Sequence, residues 1–157
     1  PGPALRRSLG WAFAAGLLVS LAACGADEAV VTIDEEGAVS VAEDAHVPGD
    51  RSGAVTVAVG DNLVVELGHQ NSSIGDGWFL VGPPDPAVLT DGGEHSDPEC
   101  DKPGCGAHVT WHFGTVAAGT TAITLRYCYR SRPPACDPMP ERGPAEPVTL
   151  TVTVVPA

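Results

Sequence analysis

The chain has 157 residues, enough for about one domain. Charged residues make up 18 % and aromatics 5 %, and glycine and proline together occupy 34 positions, the composition of a turn-rich β fold. A formal net charge of -12 leaves no basic face to assemble, which excludes nucleic acid as a partner.

Arg6 and Arg7 precede an apolar run from Leu9 to Ala23, the n-region and h-region of a secretory signal. Its fifteen residues fall short of what a membrane-crossing helix needs, about twenty. The run closes on Leu21-Ala22-Ala23-Cys24, which resembles the lipobox of bacterial lipoproteins. That resemblance implies cleavage before Cys24, lipid on its thiol and on the new amino terminus, and an exported protein held on the extracytoplasmic side of the bacterial cell envelope. Small residues admit the peptidase, and a thiol is needed for the thioether. An ordinary secretory signal followed by a chance cysteine is the alternative. Each buried CH₂ contributes about 0.8 kcal/mol, so two or three chains make a stable anchor.

Gly25 to Gly53 reads as a tether. Asp27 to Asp50 holds eight acids and no Lys or Arg, whereas the chain from Arg51 onward sets twelve acids against six bases. Two short apolar patterns, Val30 to Ile33 and Ala38 to Val41, flank Asp34-Glu35-Glu36-Gly37. They could pair as a marginal hairpin, or one could add an edge strand to the domain. The expected division is a lipoprotein signal peptide over 1–23, the lipidated cysteine and acidic linker over 24–53, and a β-sandwich domain over 54–157.

From Ala54 the pattern has period two. Val55, Val57 and Val59 alternate with Thr56 and Ala58, and Leu63, Val65 and Leu67 follow the Gly60-Asp61 turn. Val109, Trp111 and Phe113 share one side of a further strand. Ile123, Leu125 and Tyr127 alternate next, and Val148, Leu150, Val152 and Val154 alternate with threonines. This alternation predicts strands with one buried face. No helical period follows Ala23, so the expected fold is all-β, an antiparallel Ig-like sandwich of about seven strands. Three connections are long: Leu67 to Trp78, Gly82 to Gly106, and Arg130 to Pro147. Connections of this length are functional or disordered more often than not, and an antiparallel meander would gather them at one end. In the first, Ile74 is the one apolar residue in a run of turn formers, Asn71-Ser72-Ser73-Ile74-Gly75-Asp76-Gly77, and Trp78 restarts the apolar pattern. An apolar tip of this kind suits presentation to a partner; the alternative is that Ile74 folds back onto the core.

Several motifs occur in a fixed order. Val59-Gly60-Asp61-Asn62-Leu63 precedes Asn71-Ser72-Ser73-Ile74-Gly75, and Trp78 follows. Gly104-Cys105-Gly106-Ala107 comes next, then Val116-Ala117-Ala118-Gly119-Thr120, and Leu125-Arg126-Tyr127 leads into Arg130-Ser131-Arg132-Pro133-Pro134. This order resembles the chagasin family of cysteine protease inhibitors, over about Val55 to Val154. The resemblance implies reversible inhibition of papain-like cysteine proteases by a monomer. Asn71, Ser72, Ser73, Ile74 and Gly75 would be the wedge in the active-site cleft, with Trp78 behind it, and Gly104, Gly106, Arg132 and Pro133 would be flanking contacts. The sequence departs from the family pattern at Ser72 (a proline in the family), at Ile74 (a threonine), at the added Asp76-Gly77, at Ala107 (a glycine) and at Pro134 (an aromatic). Losing the proline lessens preorganisation of the first loop, and losing the aromatic removes an anchor.

Besides Cys24 there are four cysteines. In an exported domain they point to two disulfides, with three possible pairings. Cys100 with Cys105 and Cys128 with Cys136 is the preferred pairing, because each would close one flanking loop. A crosslink between those loops, such as Cys105 with Cys128, is the second choice and a zinc site the third. His108 and His112 share a face of one strand, while His69 and His95 fall on loops; all four read as surface histidines rather than metal ligands. With Met139 the only methionine, a thioether-rich copper site is excluded. There is no G-x-S-x-G elbow, no H-E-x-x-H and no P-loop, so neither an enzyme nor a cofactor is expected. Two functions remain: a surface-anchored lipoprotein that inhibits papain-like proteases, or a non-inhibitory envelope lipoprotein whose Ig-like domain binds another protein or ligand.

Overall fold

The computed structural model describes residues 28–33, 39–41, 52–137 and 146–157. The run Leu9 to Ala23, Cys24, most of the acidic segment and Met139 lie outside the described residues. Among the described residues nine strands run in chain order: β1 (Glu28–Ile33), β2 (Val39–Val41), β3 (Ser52–Ala58), β4 (Asn62–Gln70), β5 (Gly77–Gly82), β6 (Leu89–Pro98), β7 (Ala107–Thr115), β8 (Gly119–Cys128) and β9 (Val148–Val155). They form a five-stranded sheet in the order β2-β1-β4-β7-β6 and a four-stranded sheet in the order β3-β9-β8-β5. The sandwich core lies between the sheets.

The period-two pattern places the core residues. Leu63 and Val65 of β4, Val109 and Phe113 of β7, Ile123 and Leu125 of β8, and Val148, Leu150, Val152 and Val154 of β9 are buried together. Ser52 and the threonines of β3 and β9 fall between them at the surface or half-buried. Fully burying an aliphatic side chain of this size stabilises the fold by about 1.5–3 kcal/mol.

The two short apolar patterns in the acidic segment become strands. β1 and β2 pair antiparallel, and β1 also lies beside β4, so the hairpin and the added strand both occur. Val31 and Ile33 are fully buried in the core. Glu28 pairs with Asn62, which starts β4, so β1 begins at the pole where β4 begins. The expectation of a wholly antiparallel sandwich changes in two places. β1 runs parallel to β4, and β3 runs parallel to β9. Parallel neighbours need long connections, and these partners are far apart in sequence where they have to be: Val55 pairs with Val152.

The segment Gly82 to Gly106 is not one connection. Leu89–Pro98 within it is β6, which pairs with β7. Leu89 is its single buried residue, and β6 occupies a sheet edge, so L-T-D-G-G-E-H-S-D-P gives no apolar alternation to read. His95 therefore stands in a strand and not on a loop. Its ring lies 4.2 Å from that of His112, whose Nε2 is 2.9 Å from Thr110 Oγ1.

Among the described residues three β-bulges bend the ladders, in β4, β5 and β6. The one with consequences for the loops lies in β4, where Glu66 pairs with Thr110 and Gly68 with Val109, leaving Leu67 as the extra residue. Gly68 takes a φ of 72°, open to glycine and strained for other residues. An extra residue reverses the inside-outside alternation. Leu67 and Gln70 are both buried as a result, with Gln70 only 6 % exposed.

Ile33→Ala should destabilise the protein by about 2–5 kcal/mol in urea unfolding, the usual cost of emptying a core site. Thr56→Ala, on the exposed side of β3, should stay within about 0.5 kcal/mol of the parent.

Candidate functional site

The strand registers fix where the loops emerge. Gln70, the end of β4, pairs with Ala107, the start of β7, and Ala107 also pairs with Pro98, the end of β6. In the other sheet Gly77, the start of β5, pairs with Cys128, the end of β8. The connection after β4, the β6–β7 hairpin and the connection after β8 thus emerge at one pole. The first of them crosses from sheet to sheet and stands between the other two.

That first loop is a single 3₁₀ turn, Ser72–Ile74, with Asn71 before it and Gly75 closing it at a left-handed φ of 90°. The Gly75 N–H donates to Ser72 O at 3.1 Å, the Ile74 N–H donates to Asn71 O at 3.2 Å, and the Ser73 hydroxyl donates to Asn71 Oδ1. Ile74 is 43 % exposed, so its side chain stands at the tip and does not fold back onto the core. A Cβ on Gly75 would lie 3.4 Å from Arg130 Cα, so the third loop packs directly against this turn.

The foot of the loop is buried and polar. The Trp78 N–H donates to Gln70 Oε1 at 3.0 Å. Asp76, 9 % exposed, accepts the Tyr127 hydroxyl on Oδ2 at 2.8 Å and the Arg130 N–H on Oδ1 at 3.4 Å. Trp78 is buried, with its ring edge-on to Tyr127 at 5.7 Å between centroids. It props the loop from the core and does not reach the tip. Sequence reading passed over Gln70, Asp76, Tyr127 and Arg130 as parts of this site. Asp76 between two glycines is also what an ordinary turn looks like, and Gln70 turns inward only because of the bulge.

The second loop, Glu99 to Gly106, is closed by a Cys100–Cys105 disulfide with Cα atoms 5.8 Å apart. The Glu99 N–H donates to Gly106 O at 2.9 Å, and Gly104 turns the chain at a φ of 88°. Glu99 Oε2 lies 3.4 Å from His69 Nε2, which links this loop to the end of β4. Gly106 is buried at the foot, where a Cβ would land on the His69 imidazole.

The third loop is closed by Cys128–Cys136, with Cα atoms 4.6 Å apart. The preferred disulfide pairing is thus the observed one. The Tyr129 N–H donates to Asp137 O at 3.2 Å, the Asp137 N–H donates to Ser131 Oγ at 2.7 Å, and Arg132 bridges to Ala135. Arg130, at a φ of 48°, sets its guanidinium 5.0 Å from the Tyr129 ring centroid. Arg132 and Pro134 are exposed and Pro133 is half-buried. Asn71 to Gly75, Gly104, Arg132 and Pro133 are thereby gathered at one pole.

Among the described residues, no group of three or more His, Cys, Asp or Glu side chains is arranged to hold a metal ion. Away from the loop pole, partial burial raises the Glu94 carboxyl on β6 above the usual carboxylate range.

No curated protein matches the chain in sequence. Among solved structures, the cysteine protease inhibitor EhICP2 from Entamoeba histolytica has a TM-score of 0.53 at 17 % identity, covering 83 % of this chain and 100 % of that one. Amebosin gives a TM-score of 0.47 at 21 % identity, over 68 % of this chain and 100 % of that one. PbICP-C in complex with falcipain-2 gives 0.40 at 13 % identity, over 68 % and 89 %. The first of these shares the fold. A family model, "Chagasin family peptidase inhibitor I42", matches residues 56–152. That match covers more than half of the chain, all of it within the sandwich, and the chain therefore belongs to the chagasin family, whose members inhibit peptidases and are not enzymes.

Proposed function

We propose that the protein reversibly inhibits papain-like cysteine proteases through the three loops at one pole, and does so from a lipid anchor at Cys24 on the outer side of the cell envelope. The observation that carries this reading is an exposed Ile74 on a turn whose foot is fixed by Gln70 and Asp76. Asn71, Ser72, Ser73 and Gly75 are small enough to follow Ile74 into a narrow cleft, and a compact turn offers no extended peptide bond for cleavage. The second and third loops flank the turn with Gly104, Arg132 and Pro133, each loop shortened by its own disulfide. Loops ordered before binding lose less entropy on docking. Family membership supports a peptidase as partner, and EhICP2, which shares the fold, is a cysteine protease inhibitor.

Pro134 stands exposed where the family pattern has an aromatic. This favours a second reading, in which the same pole binds a different protein. Steady-state inhibition of papain and of a cathepsin-L-like protease by the chain from Cys24 onward, disulfides intact, separates the two. Submicromolar inhibition is expected. Folded protein that leaves both enzymes active well above micromolar concentration would turn the assignment to the non-inhibitory lipoprotein.

Ile74→Asp should raise Ki by about thirtyfold or more, the loss of a hot-spot residue worth about 2 kcal/mol. Asp76→Ala should weaken inhibition without touching the tip and lower stability by about 1–3 kcal/mol, because it removes the carboxylate that accepts the Tyr127 hydroxyl and the Arg130 N–H; Tyr127→Phe should cost about 1 kcal/mol. In a bacterial host, Cys24→Ala should move the protein from the membrane fraction to the soluble one, and mass spectrometry of the parent should show acyl chains on the N-terminal peptide.

A further inference from the structure

The disulfides that close the second and third loops stand in opposite surroundings. Cys128, at the end of β8, is 0 % exposed, and Cys136 is half-buried. Burial blocks attack on Cys128 itself. A thiolate attacking Cys136 would have to expel Cys128 as an anion into the interior, a costly place for an unpaired charge. In the second loop Cys100 is exposed and Cys105 half-buried. The chain beside Cys105 is open to solvent: Gly104 turns at a φ of 88°, and a Cβ on it would meet no atom outside its chain neighbours within 4 Å.

A backbone amide chooses between the two sulfurs of this open disulfide. The Lys102 N–H donates to Cys100 Sγ at 3.3 Å. In thiol–disulfide exchange the attacking thiolate bonds to one sulfur, and the other departs with the electron pair. A hydrogen bond to the departing sulfur strengthens as its charge grows, so Cys100 is the leaving group and Cys105 the sulfur attacked. Opening the bond does not unzip the loop. The Glu99 N–H still donates to Gly106 O at 2.9 Å and the Cys105 N–H to Lys102 O at 3.3 Å, and His69 Nε2 still lies 3.4 Å from Glu99 Oε2. What is lost is the covalent closure around Gly104.

We propose that Cys105 is a modification site for low-molecular-weight thiols, and that the Cys100–Cys105 disulfide is a redox control on the second loop. A thiolate RS⁻ bonds to Cys105 Sγ, the S–S bond breaks, and Cys100 leaves as a thiolate held by the Lys102 N–H. A second RS⁻ then takes RS from Cys105, which leaves as a thiolate, and RSSR departs. The protein gains two electrons and the two thiolates lose them. The site rests on the loop alone; its effect rests on the inhibitor reading. A loosened Gly104 flank has to be ordered again on docking, so inhibition weakens without being lost. A papain-like protease needs its nucleophilic thiol reduced, and a medium that keeps it so supplies the same thiols to Cys105.

The test uses the full chain with Cys24→Ala, so that the four remaining cysteines are the two disulfides. It is incubated with free cysteine at graded concentrations, quenched with excess iodoacetamide and mapped by mass spectrometry. Cys100–Cys105 should open at least about tenfold faster than Cys128–Cys136. Early samples should carry cysteine on Cys105 and carbamidomethyl on Cys100, with the circular dichroism of the folded protein unchanged. Against papain that has been activated and then freed of thiol, the opened form should show a Ki raised about three- to tenfold, the cost of ordering one or two flanking side chains again. Cys100→Ser combined with Cys105→Ser should show the same raised Ki before any thiol is added and no further rise afterwards. Equal or reversed rates for the two disulfides would overturn the site, and cysteine found on Cys100 would overturn Cys105 as the acceptor. One Ki shared by the closed, opened and double-serine proteins would overturn control of inhibition and leave the modification standing. Absence of inhibition by the intact protein, with the order of opening as stated, would overturn the inhibitor reading alone.

Discussion

A carboxylate withdrawn from water keeps its place only where hydrogen bonds replace the water, and the loop pole is built around one such group. Asp76 receives the Tyr127 hydroxyl and the Arg130 amide. Tyr127 belongs to β8 and Arg130 to the third loop, so a single side chain of the first loop fixes it to the sheet and to its neighbour at once. Gly75 adds to this by bringing the turn against Arg130 with no side chain between them. The tip residues contribute little to their own position. Asn71 to Ile74 make local turn bonds, which are weak against the freedom of an exposed segment. What orders them is the buried foot.

The foot depends in turn on a defect in β4. A regular strand would have pointed Gln70 to solvent and His69 to the core. The bulge at Leu67 and Gly68 exchanges them. Gln70 then holds the Trp78 amide from inside, and His69 stands outside beside Glu99 and over Gly106. One inserted residue therefore serves two of the three loops, supporting the first and meeting the second. The third is held covalently, because Cys128, fully buried at the end of β8, carries the disulfide that closes it.

Much of this architecture was legible in the amino-acid order, and the parts that were not share a cause. Val55-Val57, Leu63-Val65, Ile123-Leu125 and Val148 to Val154 announce themselves because they bury one face each, and burial is what alternation records. β6 buries only Leu89; it is held by backbone pairing, which leaves no side-chain trace. Val30 to Ile33 could be recognised as strand-like, but its neighbours were undecidable, since the same short apolar run suits a hairpin and a sheet edge equally. The two close-range disulfides followed from the need to close two turn-rich segments. The roles of Gln70, Asp76 and Arg130 did not follow, because each depends on a partner more than seven residues away or on an inversion of register. The site's outline could thus be read, whereas its internal support could not.

The parallel pairing of β1 with β4 has a consequence for how the molecule meets a surface. Glu28 sits beside Asn62, at the end of β4 remote from Gln70. Four Cα-to-Cα steps separate Cys24 from Glu28, and however those residues are arranged they span no more than about 15 Å. With lipid on Cys24, the chain is thus not a body on a long leash. On the proposed anchoring it would be a short post planted by its first strand, with the nine residues of β4 setting a stand-off of about 30 Å between headgroups and loops. The loop pole would then face outward, toward proteases that arrive from the medium, and away from proteases lying flat on the same membrane.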